Sequence, residues 1–103
     1  KAFIMLTRRA DMSHEEFTRW WLDEHVPLAS ALPNVRRVVL NVVDVGYDEA
    51  GFDGISELWF DTEADFHDAY ASDVGKATAA DSLAHVSGRV RVFVTENEFV
   101  SQS

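Results

Sequence analysis

The sequence predicts one α+β domain over residues 1–103, with elements in the order β-α-β-β-α-β and a four-stranded antiparallel sheet. Two observations predict this class. Short runs rich in β-branched and aromatic residues alternate with two segments that open on helix-capping signals. No repeat, low-complexity tract or linker divides the chain, and its length suits one hydrophobic core.

The first strand and the first helix follow each other closely. Residues 2–7 form an apolar run that predicts a strand. Ser13 and Glu16 have the spacing of a capping box, which predicts the start of a helix. We expect this helix to reach His25 and to kink or break just before Pro27, because proline removes a hydrogen bond and restricts the preceding residue.

Two strands and a second helix come next. The β-branched run at 35–45 predicts the second strand, and 55–60 predicts the third after a glycine-containing turn. A weaker capping box begins at Thr62 and predicts a helix that Gly75 interrupts, with a further helical piece at 76–83.

The last strand is predicted at 89–98, and its pattern bears on assembly. Val90, Val92 and Val94 share one face there while Phe93 lies on the other. The first two strands are also apolar on both faces, whereas a sheet face in contact with water should be polar. Two helices cover one face only, so we expect a symmetric homodimer to cover the other. The alternative is an unusually apolar exposed sheet.

Composition excludes several classes of protein. The formal net charge is −9 and basic residues occur only in scattered pairs, which argues against nucleic-acid binding and against a role on anionic membranes. No apolar run is long enough to span a bilayer. The chain has no cysteine, so it offers no disulfide or thiolate metal site, and this fits a cytoplasmic protein.

Three segments carry a resemblance to the EthD family. The helix start resembles its opening, two basic residues followed by S-x-E-E-F, here RRADMSHEEF. The first helix is similar to its W-x-x-x-H-x-P-L core, here WLDEHVPL. The third strand is similar to its D-G-x-x-E-x-W-F-D segment, here DGISELWFD.

The resemblance implies a ferredoxin-like domain of the dimeric α/β-barrel superfamily and a histidine, here His25, that lines a small-molecule pocket. It implies no single chemistry, because this family and its relatives include an isomerase, dehydratases, cyclases and cofactor-free or haem-dependent monooxygenases. Several relatives have a tyrosine where this chain has Val38-Val39, and the isomerase-like members pair their histidine with a cysteine that is absent here.

His25 is the candidate catalytic residue. At ~100° per residue it falls within the apolar stripe of the first helix and therefore faces the sheet. An imidazole has an unperturbed pKa near ~6.5, which suits it to general acid–base catalysis in a dry cleft. The alternative is a structural histidine bonded to a backbone carbonyl. Trp20 lies about 140° away from it around a regular helix and is assigned to another surface.

The candidate ligand-binding residues are Trp21, Asn41, Glu57 and Trp59. The two tryptophans would form apolar walls, and Asn41 would bind a ligand or cap an irregularity of an edge strand. Glu57 would be a pocket base or the orienting partner of His25. Its alternative place is the dimer face, paired with an arginine such as Arg89, Arg91 or one from the partner.

No metal or cofactor site is predicted. The remaining histidines, His14, His67 and His85, do not form a ligand pair at helical spacing, and no phosphate loop or nucleophile elbow occurs. Of these three, His85 is placed where it could line the mouth of a cavity.

We therefore expect a cofactor-independent isomerase, cyclase or dehydratase (lyase) that acts on an apolar oxygenated metabolite such as a lactone or polyketide intermediate. One alternative is a non-catalytic ligand-binding or accessory protein of a degradation or biosynthetic pathway. A second is a cofactor-free or haem-dependent monooxygenase, with His25 or His85 as the axial ligand.

Overall fold

The computed structural model describes residues 1–102 and contains one four-stranded antiparallel sheet. The strands are β1 (Ala2–Arg8), β2 (Arg37–Val42), β3 (Gly54–Trp59) and β4 (Val86–Phe93). They lie in the order β2-β3-β1-β4, with every neighbouring pair antiparallel. The α+β, ferredoxin-like arrangement that the sequence predicts is confirmed.

The helices lie on one face of this sheet. They are α1 (His14–Arg19), a π-helical segment (Trp20–His25), α2 (Val26–Ser30), α3 (Glu63–Ala71) and α4 (Asp73–His85), with a short 3₁₀ turn at Asp48–Ala50. The predicted capping box at Ser13 and Glu16 is present in both directions. Each capped start fixes where a helix leaves its strand.

Strand alternation divides the sheet into two faces. The face toward the helices carries the core residues Ala2, Ile4, Leu6, Ser56 and Leu58. The opposite face, called the outer face below, carries Phe3, Met5, Arg37, Val39, Asn41, Ile55, Glu57, Trp59, Val90 and Val92. Large apolar side chains thus occupy both faces, as the strand patterns predict.

The first helical region continues through Pro27 without the predicted break. Val26 keeps helical backbone angles, and the six residues before it adopt the wider π-helical turn. Proline cannot donate a backbone hydrogen bond and clashes with the carbonyl four residues earlier, so a wider preceding turn accommodates it. Segments of this kind are frequent at functional sites.

Gly75 does not interrupt the second helical region. The break falls at Ser72, whose extended backbone ends α3 and whose side chain accepts a hydrogen bond from the Gly75 N–H. Gly75 is buried where the two helices cross, against the backbone of Ala69 and Tyr70. The glycine therefore permits close helix packing, which the sequence pattern alone does not distinguish from a helix break.

Both ends of β2 and of β4 also differ from their predictions. β2 spans Arg37–Val42 rather than 35–45, and β4 runs from Val86 to Phe93 rather than from 89 to 98. The final pair in β4 is Phe93 with Ala2, and the pairing continues past it only through the two hydrogen bonds that Val94 makes with Lys1. β-propensity predicts which residues suit a strand, but pairing decides its length.

Within residues 1–102, no helix has both the length and the apolar character that crossing a bilayer requires. The cytoplasmic location suggested by the missing cysteines stays a prediction.

Candidate functional site

His25 lies at the end of the π-helical segment and points between the helices and the sheet. Only 6% of its surface is exposed. Its Nδ1 lies 2.8 Å from Oδ2 of Asp81, and its Nε2 lies 3.3 Å from Oγ of Ser82. Both partners belong to α4, so that helix fixes the orientation of the imidazole.

Asp81 connects His25 to two further rings. The Trp20 indole N–H donates to the same carboxylate oxygen, Oδ2, at 3.2 Å. The Trp20 ring stacks on His85 with centroids 4.3 Å apart and lies 5.1 Å from the ring of His25. His85 Nδ1 is 2.8 Å from the backbone carbonyl of Asp81. Asp81 is thus held by several groups and cannot turn freely toward solvent.

The surroundings favour a neutral imidazole with a defined tautomer. Burial lowers the pKa of His25, and the hydrogen bond and charge of Asp81 only partly oppose this effect. A carboxylate accepts hydrogen bonds, so Nδ1 carries the proton and Nε2 keeps its lone pair. That lone pair accepts from the Ser82 hydroxyl at the wall of a cavity.

The cavity lies between the sheet and the helices. It has a volume of about 10 Å³, room for about a single water molecule. Its polar lining comes from His25, Ser56, Tyr70, Ser82 and Arg89. Its apolar lining comes from Ile4, Leu6, Ala29, Leu40 and Leu58. Leu40, Tyr70 and Arg89 are partly exposed, so the cavity approaches the surface beside them.

Of the predicted site residues, only His25 lines this cavity. Trp21 is fully buried in the same layer, but its ring packs against Phe17 at 5.4 Å and over Gly54. It is a core residue of the helix–sheet interface. Its part in binding a ligand stays a prediction.

Asn41, Glu57 and Trp59 lie on the outer face, across the sheet from His25. Glu57 pairs with Lys1 at 2.8 Å and accepts from the Asn41 amide at 3.1 Å. Lys1 lies over the Trp59 ring at 4.6 Å. The predicted role of Glu57 as the orienting partner of His25 is therefore wrong, because strand residues 55, 57 and 59 all point away from the helices. Binding by these residues would require a ligand on the outer face.

The alternative placement of Glu57 is half confirmed. It does lie on the predicted outer face, but its partner is Lys1 rather than Arg89 or Arg91, which face the helices. The Lys1 ammonium holds the pKa of Glu57 below its ordinary value. An ion pair in a largely apolar surface accounts for the polar residue in a central strand.

The predicted position of Trp20 is also wrong. It is 4% exposed and lies beside His25 rather than on another surface. The 140° estimate assumes a regular α-helix. In a π-helix the hydrogen bond spans five residues, so positions 20 and 25 come to nearly the same side.

Sequence reasoning missed Asp81, Ser82, Tyr70 and Arg89. Their common feature is that they come from α3, α4 and β4, far from His25 along the chain. One signal was available: Gly75, Thr78 and Ser82 are small residues at helical spacing, which indicates a face of α4 packed closely against its neighbours. No local pattern indicates which residue on another helix this face meets.

No group of three or more metal-ligating side chains occurs within residues 1–102. His25 directs Nδ1 at the Asp81 carboxylate and Nε2 at Ser82, while His85 directs Nδ1 at the backbone carbonyl of Asp81. The polar side chains around His25 are thus bonded mainly to one another, beside a cavity with room for about one water molecule.

The fold is that of a ferredoxin-like α+β protein, with a buried histidine beside a small cavity between its helices and its sheet. The family model that describes the EthD domain matches residues 9–86. The chain belongs to the EthD family.

A relative from Rhodococcus erythropolis, an uncharacterized 11.0 kDa protein of the thcB-thcC intergenic region, is 30% identical over 86 residues, which is 82% of either chain.

Three solved structures are similar in fold. An EthD family protein from Bacillus halodurans has a TM-score of 0.74 at 18% identity, over 91% of this chain and 97% of its own. A hydroxynitrile lyase from Passiflora edulis has a TM-score of 0.73 at 15% identity, and the match covers 96% of this chain and 94% of its own. A dimeric ferredoxin-like protein of unknown function from Thermobifida fusca has a TM-score of 0.69 at 15% identity, and the match covers 88% of this chain and 84% of its own.

Proposed function

We propose that this protein is a cofactor-independent enzyme that moves a proton on a small, largely apolar metabolite, as an isomerase, cyclase or lyase. One observation carries the proposal. A buried histidine, kept neutral by desolvation, is oriented by a carboxylate on Nδ1 and presents Nε2 at a cavity. General bases of this kind are effective near neutral pH because they start unprotonated.

The reaction would proceed in two proton transfers. Nε2 of His25 takes a proton from a carbon of the substrate, and Asp81 stabilises the imidazolium that results. The imidazolium then returns the proton to a second carbon, which is isomerisation, or to a departing oxygen, which is elimination. The Ser82 hydroxyl lies within reach of Nε2 and can turn to bond the substrate.

The hydrogen-bond order Asp81–His25–Ser82 also resembles that of a nucleophilic triad. Ser82, however, lies in the last turns of α4, where the backbone N–H groups are used within the helix. Acyl transfer needs unpaired donors aimed at the developing oxyanion, and a helix interior offers none. The geometry therefore supports proton transfer in preference to attack by Ser82.

A substrate must enlarge the cavity, since its present volume suits about one water molecule. The partly exposed lining side chains Leu40, Tyr70 and Arg89 are the ones free to move. Opening at these positions would leave the packed core and the Asp81–His25 pair in place.

The similarity to a lyase adds modest support. The Passiflora edulis protein has a similar fold and is a hydroxynitrile lyase. At this level of identity the fold alone is comparable, so the substrate of that enzyme is not assigned to this chain.

The proposal is tested by proton exchange, which does not require the natural product to be known. Unsaturated lactones, β-keto acids and phenolic polyketides are incubated with the protein in D2O, and NMR follows deuterium entering carbon-bound positions. We expect exchange proportional to protein concentration with at least one of these classes. His67→Ala removes an exposed histidine and should exchange at the wild-type rate.

Absence of exchange with every class would contradict the enzyme proposal. If the same compounds nevertheless raised the Tm, the protein would be assigned to the binding or accessory class instead.

We further propose that two copies pair through the outer face. Val90 and Val92 are each 42% exposed there, and Phe3, Met5 and Ile55 extend the apolar surface toward the centre of the sheet. A similar fold from Thermobifida fusca is dimeric. Neighbouring exposed apolar side chains on one sheet face are typical of protein interfaces.

Val92→Arg should therefore convert the dimer to a monomer, because it introduces a charge into the pairing surface. Sedimentation velocity distinguishes the two states. Leu83→Arg makes the same chemical change at an exposed apolar position of α4, on the other side of the molecule, and should leave assembly unchanged. A wild-type chain that sediments as a monomer at micromolar concentration would refute the pairing.

A further inference from the structure

We propose that the His25 cavity takes substrates that carry an anionic oxygen, a carboxylate first of all, and that Arg89 binds it with Tyr70 alongside. This inference deepens the proposed function, since it assigns a substrate class to the same cavity. It rests on three features of Arg89: its side of the sheet, its place in the cavity lining and its lack of an acidic partner.

Arg89 faces the helices and reaches the cavity. It pairs with Leu6 across β1 and β4, and both residues line the cavity together with His25. Because successive strand residues alternate between faces, Arg91 and Phe93 share this side while Val90 and Val92 lie on the outer face. An arginine on the helix-facing side of an edge strand is uncommon, because a valine would pack there without the free-energy cost of desolvating a charge.

No carboxylate neutralises these arginines within residues 1–102. The ion pairs of that part of the chain include Arg8, Arg9 and Arg36, but neither Arg89 nor Arg91. Arg91 instead lies over the Tyr70 ring at 4.8 Å. Acidic residues outnumber lysine and arginine by 18 to 9 in this chain, so a lack of acids does not explain the unpaired arginines.

The energetic consequence favours an anionic ligand. Burial lowers the pKa of the Arg89 guanidinium, and the charge of Arg91 lowers it further. A cation that is partly desolvated without a partner is unfavourable until an anion arrives. Arginine presents a planar fork of donors that matches a carboxylate, and an anionic group would satisfy it directly.

The rest of the cavity defines the body of the ligand. Ile4, Leu6, Ala29, Leu40 and Leu58 line it with aliphatic surface, which suits a compact apolar skeleton. The Tyr70 phenol is protonated, since burial raises its pKa, and can donate a second hydrogen bond to the anion. The carbon that His25 deprotonates would then lie between the anchored group and Nε2.

The test compares acids with their amides. Benzoate and cinnamate are titrated beside benzamide and cinnamamide, and binding is followed by Tm and by the fluorescence of Trp20, which adjoins His25. We expect the acids at ten times their Kd to raise the Tm by about 5 °C or more, and the amides to have little effect. Arg89→Met should weaken acid binding at least tenfold.

Arg36→Met is the matched control, because it removes the same charge from an exposed ion pair with Asp61. It should leave acid binding as in the wild type. Arg89→Met should also keep or raise the Tm of the ligand-free protein, since it removes an unpaired cation. If that variant does not fold, Arg89→Lys serves instead, because it keeps the charge and removes the planar guanidinium donors. It should bind the acids at least tenfold more weakly than wild type does.

Two results would overturn the inference: acids and amides that bind wild type equally, or acid binding that survives unchanged in Arg89→Met. Its failure is distinct from failure of the proposed enzyme. Exchange of deuterium into neutral substrates, unaffected by Arg89→Met, would keep the enzyme and reject the anion site. Arg89-dependent binding of acids without any deuterium exchange would keep the anion site and reject the enzyme.

Discussion

Replacing His25 by alanine should lower the rate of deuterium exchange by roughly 10²–10⁴-fold, the usual contribution of a general acid–base residue. The physical reason is that Nε2 is the only unprotonated nitrogen that the described cavity lining presents. The measurement is the NMR exchange assay with whichever compound wild type deuterates. Circular dichroism and Tm should report a folded protein, because the lost hydrogen bonds cost about 1–3 kcal/mol.

Asp81→Asn is the companion variant, since it keeps the shape of the side chain and removes its charge. Asp81 raises the pKa of His25 against the effect of burial, so its loss should lower that pKa further. The amide can also donate to Nδ1 and reverse the tautomer, so exchange should fall by roughly 10²-fold or more. NMR titration of the His25 ring measures both changes without a substrate.

The catalytic role of His25 is refuted if His25→Ala exchanges deuterium at the wild-type rate. An unfolded His25→Ala would instead support the structural alternative, in which the Asp81–His25 pair joins α4 to the π-helical segment. In that case Asp81→Asn, which preserves packing, still separates the two roles, because a structural pair would lose stability without a change in exchange.

Gly75→Ala should destabilise the fold by about 3 kcal/mol or more and lower the Tm by roughly 12 °C or more. A Cβ atom at this position would lie less than 3.0 Å from three backbone atoms of Ala69 and Tyr70. Backbone cannot move aside as a side chain does, so α3 and α4 would have to separate. Thermal and urea unfolding measure the loss.

Gly88→Ala is the matched control within the same protein. Its added Cβ would meet Thr7 at 3.7 Å, an ordinary contact, and its backbone tolerates a side chain. We expect no loss of stability and a gain of up to about 1 kcal/mol from a less flexible unfolded chain. Equal Tm values for both variants would show that the helices do not cross as closely as described.

Much of the fold is predictable because it depends on local chemistry. The capping box at Ser13 and the strand patterns identify the elements, and the apolar outer face follows from strands that do not alternate. Boundaries were less accurate: Gly75 looks like a helix break, but the break is at Ser72. A glycine has the same appearance in a sequence whether it ends a helix or admits a neighbouring one.

The site was predictable only in part. Periodicity and the family resemblance identify His25 as an inward-facing residue, whereas Asn41 and Glu57 lie on the other face of the sheet and not beside it. The strand period predicts which residues share a face, but not which face meets the helices when both are apolar. The Trp20 error has a different cause, a π-helical turn that local patterns do not predict.

By itself, then, the sequence determined the α+β class, the two faces of the sheet and the one histidine that points inward. These depend on periodicity and on capping, which act between residues a few positions apart. Only the tertiary structure decided that Asp81, Ser82 and Arg89 surround His25. Such contacts join residues more than 50 positions apart, and they arise from how α4 and β4 pack, which no local pattern encodes.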